Sequence, residues 1–115
     1  MSSSSDEGQT WSAPIRVTSG AIDKWFPWVA ARGGKIGVVY QNEVSDGSGT
    51  YVTRLNTSTD GGATWSQQQV STAISDPNHS VWFRAGAANA PACPQCSRFI
   101  GDYIGLTFTR SAGRI

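Results

Sequence analysis

Apolar and β-branched residues gather in short runs separated by Gly, Ser and Asp. FPWVAARG (residues 26–33) and KIGVVYQNE (35–43) flank Gly33-Gly34, and a Gly-Gly pair between two such runs predicts a tight hairpin of inner strands. TYVTRLNTS (50–58) reads as a third strand and SQQQVST (66–72) as a fourth. SAPIRVTS (12–19) alternates well enough for an outer strand ahead of the set, and FIGDYIGLTFTR (99–110) is expected to be an inner strand behind it. Helix signals are almost absent, so the fold class expected is all-β.

Composition narrows this picture. At 115 residues the chain has room for one domain, residues 1–115. Charged residues are sparse at 15%, while 13 glycines and five tryptophans fit a β-protein with many turns. A formal charge of +1 leaves no basic stripe, so neither nucleic acid nor an anionic membrane is an expected partner. The first residues, MSSSSDEG, lack the basic and apolar regions of a secretory signal, and no apolar run approaches the length of a membrane span. No cofactor is expected.

One eight-residue pattern occurs twice: SSDEGQTW at 4–11 and STDGGATW at 58–65. Both read Ser-x-Asp-x-Gly-x-Thr-Trp, formed by Ser4, Asp6, Gly8, Thr10 and Trp11 in one copy and Ser58, Asp60, Gly62, Thr64 and Trp65 in the other, and both continue with Ser. An aspartate in a tight turn accepts hydrogen bonds from backbone N–H groups of the same turn. Glycine permits a positive φ, and Thr-Trp opens the next strand with the indole over the turn. A structural role for Asp6 and Asp60 is therefore preferred to a catalytic or metal-binding one.

This pattern is the Asp-box, and it resembles the neuraminidase repeat of bacterial sialidases and related β-propellers, often labelled exo-α-sialidases. Segments WFPWVA, VVYQNE, STDGGATWS and FIGDYIGL extend the resemblance over nearly the whole chain. The resemblance implies a four-stranded blade with the box between its third and fourth strands, on the face away from any active site. A propeller blade uses about 40–50 residues, so the two boxes stand roughly one blade apart. One complete blade is expected over about 26–72, preceded by the last strand of one neighbour. A partial next blade follows over about 99–115, with Gly113-Arg114-Ile115 matching Gly34-Lys35-Ile36. A blade buries its faces only against adjacent blades, so the expected partner is the rest of a larger propeller or further copies of this chain. A trimer imitating a six-bladed ring is the favoured homo-oligomer. The resemblance also implies a secreted or cell-surface protein.

Sialidases hold the substrate carboxylate with an arginine triad and pair a tyrosine nucleophile with a glutamate, using an aspartate as acid/base. Their first arginine sits in Arg-Ile-Pro, which is absent here; Arg16 in IRV and Arg84 in FRAG come nearest. The only glutamates are Glu7, inside the first box, and Glu43, at a strand end. Catalysis by this chain alone is not expected. If the box marks one end of the blade, a ligand would meet the other end, at residues 20–25, 42–49 and 73–98. Those stretches hold Asp23, Lys24, Trp25, Asp46, Asp76, His79, Trp82, Arg84 and Arg98. Indole rings beside charged groups suit a sugar, whose C–H face stacks on Trp while its hydroxyls need polar partners. Asp23, Trp25, Trp82, Arg84, Asp102 and Tyr103 are the ligand-binding candidates. In the alternative reading Trp25 and Trp82 pack between blades and the charges are solvated. Asp102, on an expected inner strand, requires hydrogen-bond donors, an arginine or a cation if buried.

Cys93 and Cys96 form the one C-x-x-C. A disulfide pinning the long loop ranks first, free thiols second, zinc third for want of further ligands, and redox catalysis last. No metal site is expected. Lone His79 reads as an exposed loop residue, and Asn56-Thr57-Ser58 and Asn78-His79-Ser80 as chance matches to a glycosylation pattern. Three functions follow: a sialidase-like propeller module, non-catalytic alone, in carbohydrate recognition or assembly; a glycoside hydrolase active only as an oligomer or within a larger propeller; and a structural or interaction scaffold.

Overall fold

The computed structural model describes residues 1–77 and 103–109. Four strands form one open antiparallel sheet in chain order: β1 (Lys24–Arg32), β2 (Lys35–Glu43), β3 (Tyr51–Ser58) and β4 (Ser66–Gln69). No α-helix occurs among the described residues. The β1–β2 hairpin closes over Gly33 and Gly34, whose φ angles of 56° and 78° give the paired positive values that a two-residue turn needs to follow the strand twist. Arg32 and Lys35 face each other across it.

Strand register sorts the side chains into two faces. Ile36, Val38, Tyr40 and Asn42 share one face with Val52, Arg54, Asn56 and Ser58 of β3; Gly37, Val39 and Gln41 share the other with Thr53, Leu55 and Thr57. The buried apolar core consists of Val38, Val39, Tyr40 and Val52. Consecutive apolar residues at 38–40 thus belong to a strand covered on both sides, which removes the in–out alternation of a half-exposed sheet. Extended segments at either end of the described chain provide that cover.

On the Tyr40 face, residues 12–18 lie against the sheet. The Asn56 side-chain amide donates to the Val17 carbonyl at 2.6 Å, and Ile15 Cδ1 closes on Gly62. The expected strand over 12–19 is not assigned among the described residues: 12–15 pair with the N-terminal residues, Met1 and Ile15 exchanging bonds of 2.7 and 2.8 Å and the Ser12 N–H donating to the Ser3 carbonyl at 2.8 Å, while the segment as a whole meets a face of the four-stranded sheet and not its edge. On the Gly37 face lies segment 103–109. Ile104, Leu106 and Phe108 are half-buried, and Tyr103, Gly105, Thr107 and Thr109 are exposed, so the segment has the two-residue period of a strand, with no ladder partner among the described residues. The Arg32 guanidinium donates to the Phe108 carbonyl at 3.4 Å.

Gly37 fits this packing because it has no side chain. A Cβ there would stand 2.9 Å from Leu106 Cδ2 and 3.4 Å from Phe108 Cζ. Its φ is not positive, so Gly37→Val suits the strand backbone and tests packing alone. The valine is expected to cost about 1–3 kcal/mol and to lift 103–109 off the sheet. Hydrogen exchange should accelerate at 103–109 and stay slow on β2 and β3; unchanged exchange at 103–109 would refute the contact.

Candidate functional site

Chain direction places two kinds of connection at opposite ends of the sheet. The Gly33-Gly34 turn and the β3–β4 turn lie at one end; the chain entering β1, the β2–β3 loop and the chain leaving β4 lie at the other.

The β3–β4 turn is tied by its own side chains. Ser58 Oγ donates to Asp60 Oδ1 at 2.7 Å and accepts the Gly62 N–H at 2.8 Å. Asp60 Oδ1 also accepts the Thr64 N–H at 2.9 Å, and Oδ2 accepts the Thr64 hydroxyl. The Trp65 indole N–H closes on the Gly62 carbonyl at 2.9 Å. The first copy repeats every bond. Ser4 Oγ meets Asp6 Oδ1 at 2.7 Å and the Gly8 N–H at 2.8 Å; Thr10 gives its N–H to Asp6 Oδ1 at 2.9 Å and its hydroxyl to Oδ2 at 2.6 Å; Trp11 Nε1 reaches the Gly8 carbonyl at 3.0 Å. The first turn lies outside the four-stranded sheet but is likewise flanked by paired backbone: Met1 and Ile15 exchange bonds of 2.7 and 2.8 Å, and the Ser12 N–H donates to the Ser3 carbonyl at 2.8 Å.

Both aspartates spend their oxygens on this internal bonding. Thr10, by hydroxyl and amide, and then Ser4 hold the Asp6 carboxyl at about 2. Thr64 and then Ser58 likewise hold Asp60 well below the ordinary carboxylate range. Because the folded pKa lies below the unfolded value of about 3.9, each aspartate stabilises the fold above about pH 4. That contribution fades as pH falls through the folded value, near 2 for Asp6. The thermal midpoint is therefore expected to drop between pH 5 and pH 2, and Asp60→Asn to lower it at pH 7 and flatten its acid dependence. Parallel curves for the two proteins would separate the turn from the acid response.

The loop end gathers different chemistry. The Glu43 N–H donates to the Asp23 carbonyl at 3.0 Å, which joins the entry to β1 to the end of β2. Tyr51 and Ser75 exchange backbone bonds of 2.9 and 2.7 Å, which draws the exit from β4 to the same place. Trp25 and Tyr51 stack edge to face there, with ring centroids 5.8 Å apart and planes at 65°. The Trp25 indole N–H is shielded from solvent and has no hydrogen-bond partner among the described residues. Glu43 is only 6% exposed; its carboxylate accepts the Gly49 N–H at 2.7 Å and the Gly47 N–H at 3.2 Å. It therefore clasps its own loop instead of presenting a free base.

Of the ligand-binding candidates, Asp23 and Trp25 meet at the loop end. Asp23 is exposed, and Trp25 is half-buried against Tyr51. Tyr103 lies in the segment on the Gly37 face and is 90% exposed. Trp82, Arg84 and Asp102, with His79, Arg98, Cys93 and Cys96, lie outside the described residues. No group of three or more His, Cys, Asp or Glu side chains gathers among the described residues. Compared with protein-family models, curated proteins and solved structures, the chain matches none.

Two features of this site are not apparent from the sequence pattern. Tyr51 becomes the ring partner of Trp25 only through the β2–β3 register. Phe26 adopts a φ of 51° where the β1–β2 register shifts between Trp25 and Trp28. A bulky residue before proline ordinarily avoids that conformation. The WFPW run was the available signal: proline within a strand marks an edge or a bulge.

Proposed function

We propose that this chain is a module of a sialidase-like β-propeller, non-catalytic by itself, that acts in carbohydrate recognition or assembly. In this reading the four-stranded meander is one blade, the Ser-x-Asp-x-Gly-x-Thr-Trp turns are Asp-boxes, and 12–18 and 103–109 belong to the sheets on either side. The observation that carries the reading is the duplicated turn with one bond set in both copies. One copy joins β3 to β4, and the other leads into a segment lying on the sheet's face. A repeat unit that buries its faces against neighbours accounts for that placement. The partners are then the rest of a propeller or further copies, a trimer being the most economical ring.

Any sugar would meet the loop end, where Trp25 and Tyr51 offer rings beside Asp23. The occupied Glu43 carboxylate argues against its serving as the glutamate of a sialidase nucleophile pair. The test combines solution mass with a fluorogenic sialoside and glycan binding. The reading expects an oligomer, glycan binding reduced by Trp25→Ala, and no fluorophore release. Release that disappears in Arg84→Ala would establish the glycosidase alternative. A compact monomer with cooperative unfolding and no glycan bound would leave only the scaffold.

A further inference from the structure

The chain contains two Asp-Gly pairs, Asp46–Gly47 in the β2–β3 loop and Asp60–Gly61 in the β3–β4 turn. In such a pair the side-chain carboxyl can meet the next backbone nitrogen closely, because glycine has no side chain to obstruct the approach. Both aspartates are exposed, so access to water does not separate them. Their bonding does.

The Asp60 carboxylate accepts three hydrogen bonds, from the Ser58 hydroxyl at 2.7 Å, the Thr64 N–H at 2.9 Å and the Thr64 hydroxyl. These bonds fix its orientation and keep it ionised, and an ionised carboxylate is a poor electrophile. The Asp46 carboxylate makes no hydrogen bond or ion pair among the described residues, so its rotation is unrestrained.

The loop around Asp46 is also self-contained. Every hydrogen bond that residues 44–49 make among the described residues ends within 43–50, so this loop can open without breaking the sheet. The Ser48 N–H donates to the Ser45 carbonyl at 3.0 Å, which puts Asp46 and Gly47 at the centre of a tight turn. Glu43 restrains the nitrogen itself: its carboxylate accepts the Gly47 N–H at 3.2 Å, a long bond beside the 2.7 Å one to Gly49. Giving up that one contact releases Gly47, whereas releasing the Asp60 carboxylate breaks three.

We propose that Asp46–Gly47 is a self-modification site that converts to an isoaspartyl linkage, with Glu43 as the latch that slows it. A bond forms between the Gly47 nitrogen and Asp46 Cγ, one Cγ–O bond breaks, and the amide proton leaves with the hydroxyl of the protonated carboxyl as water. Water then adds to the α-carbonyl of the cyclic imide and the C–N bond there opens. The chain now runs through the side-chain carbon and carries a free α-carboxylate, with no net change in composition. One methylene has entered the backbone of the loop that Glu43 clasps, so the Gly47 and Gly49 amides should lose their protection from hydrogen exchange. The inference does not rest on the propeller reading.

The test is to age the full-length folded chain in mildly acidic buffer below its unfolding midpoint, beside a sample unfolded in urea. Isoaspartate is located by peptide mapping with electron-transfer fragmentation, and its total is counted by an isoaspartyl carboxyl methyltransferase with labelled S-adenosylmethionine. Conversion in the folded chain is expected to be at least about tenfold faster at 46 than at 60, because three bonds to a charged group must open at 60. In urea the two sites should convert alike. Glu43→Gln should accelerate conversion severalfold at 46 alone, and Thr64→Val should raise it at 60 alone. Equal conversion at the two sites in the folded chain would overturn the proposal, as would a preference for 46 that persists unchanged in urea. Conversion at 46 that is unchanged or slower in Glu43→Gln would remove the latch.

Discussion

Replacing Asn56 with alanine is expected to destabilise the chain by about 3 kcal/mol and to open the Arg16–Val17 peptide bond to trypsin. Asn56 is 3% exposed at the middle of β3. Its amide carries the 2.6 Å bond to the Val17 carbonyl, and its Oδ1 accepts the Tyr40 hydroxyl, which in turn accepts the Gln67 amide at 2.7 Å. One side chain thus joins the N-terminal segment, the central strand and the edge strand β4. Alanine removes both partners and leaves the Val17 carbonyl facing a covered surface. Burial already pushes the Tyr40 phenol up, so its hydroxyl is held neutral as one link of this chain.

Tyr40→Phe is the control. It removes the hydroxyl but keeps the ring and the Asn56–Val17 bond, so it should cost about 1–1.5 kcal/mol and leave the segment docked. Cleavage after Arg16 should accelerate by about 10–100-fold in Asn56→Ala, following the local opening equilibrium, and by much less in Tyr40→Phe. Equal trypsin sensitivity in the two variants would show that the segment is held by its apolar contacts alone.

The strands were legible because each has a local cause. Gly33-Gly34 fixes one hairpin, and the observed β1 and β2 lie within two residues of the expected bounds. The third strand begins one residue later than expected, and β4 stops at Gln69, where 66–72 was expected, because past that point the Val70 and Ser71 N–H groups both turn to the Thr53 carbonyl and the ladder does not advance. The turns were legible for the same reason: Ser, Asp, Gly, Thr and Trp bond among themselves, so eight residues of sequence contain the whole geometry.

What escaped depends on contacts distant in the chain. Segment 12–19 alternates like a strand, yet its backbone pairing is confined to bonds of Ser12 and Ile15 with Ser3 and Met1, and alternation records only which side faces apolar neighbours. Asn56 reads as a polar interruption of β3 until the register sets it beside Tyr40 and beneath Val17. Glu43 reads as a catalytic candidate until the folded loop turns Gly47 and Gly49 toward it. The Trp25 and Asp23 candidates came together because a strand end and its entry loop are neighbours in sequence.

Gly62→Ala is expected to be the most damaging single-methyl change in the two Ser-x-Asp-x-Gly-x-Thr-Trp turns, at about 2–4 kcal/mol from backbone strain and overpacking together. Gly62 has a φ of 98°, beyond the left-handed region that asparagine or aspartate tolerates, and its position is set from both sides by the Ser58 hydroxyl and the Trp65 indole. A Cβ there would meet Met1 Cε at 3.1 Å, Ile15 Cδ1 at 3.2 Å and Trp65 Cζ2 at 3.5 Å. The neighbouring glycine provides the contrast: Gly61 has a φ of 72° and open space around it, so Gly61→Ala carries conformational cost alone, about 1 kcal/mol. The first turn already contains that experiment, since Glu7 occupies the place of Gly61 with a φ of 59°. Gly8→Ala belongs between the two, with a φ of 87° and only Trp11 nearby, at 3.7 Å. Urea midpoints at constant m-value should therefore fall in the order Gly61→Ala, Gly8→Ala, Gly62→Ala, from least to most damaging. If Gly61→Ala proved as harmful as Gly62→Ala, steric contact with the N-terminal segment would have no part in holding the turn, and the cost would lie in the loop's own conformation.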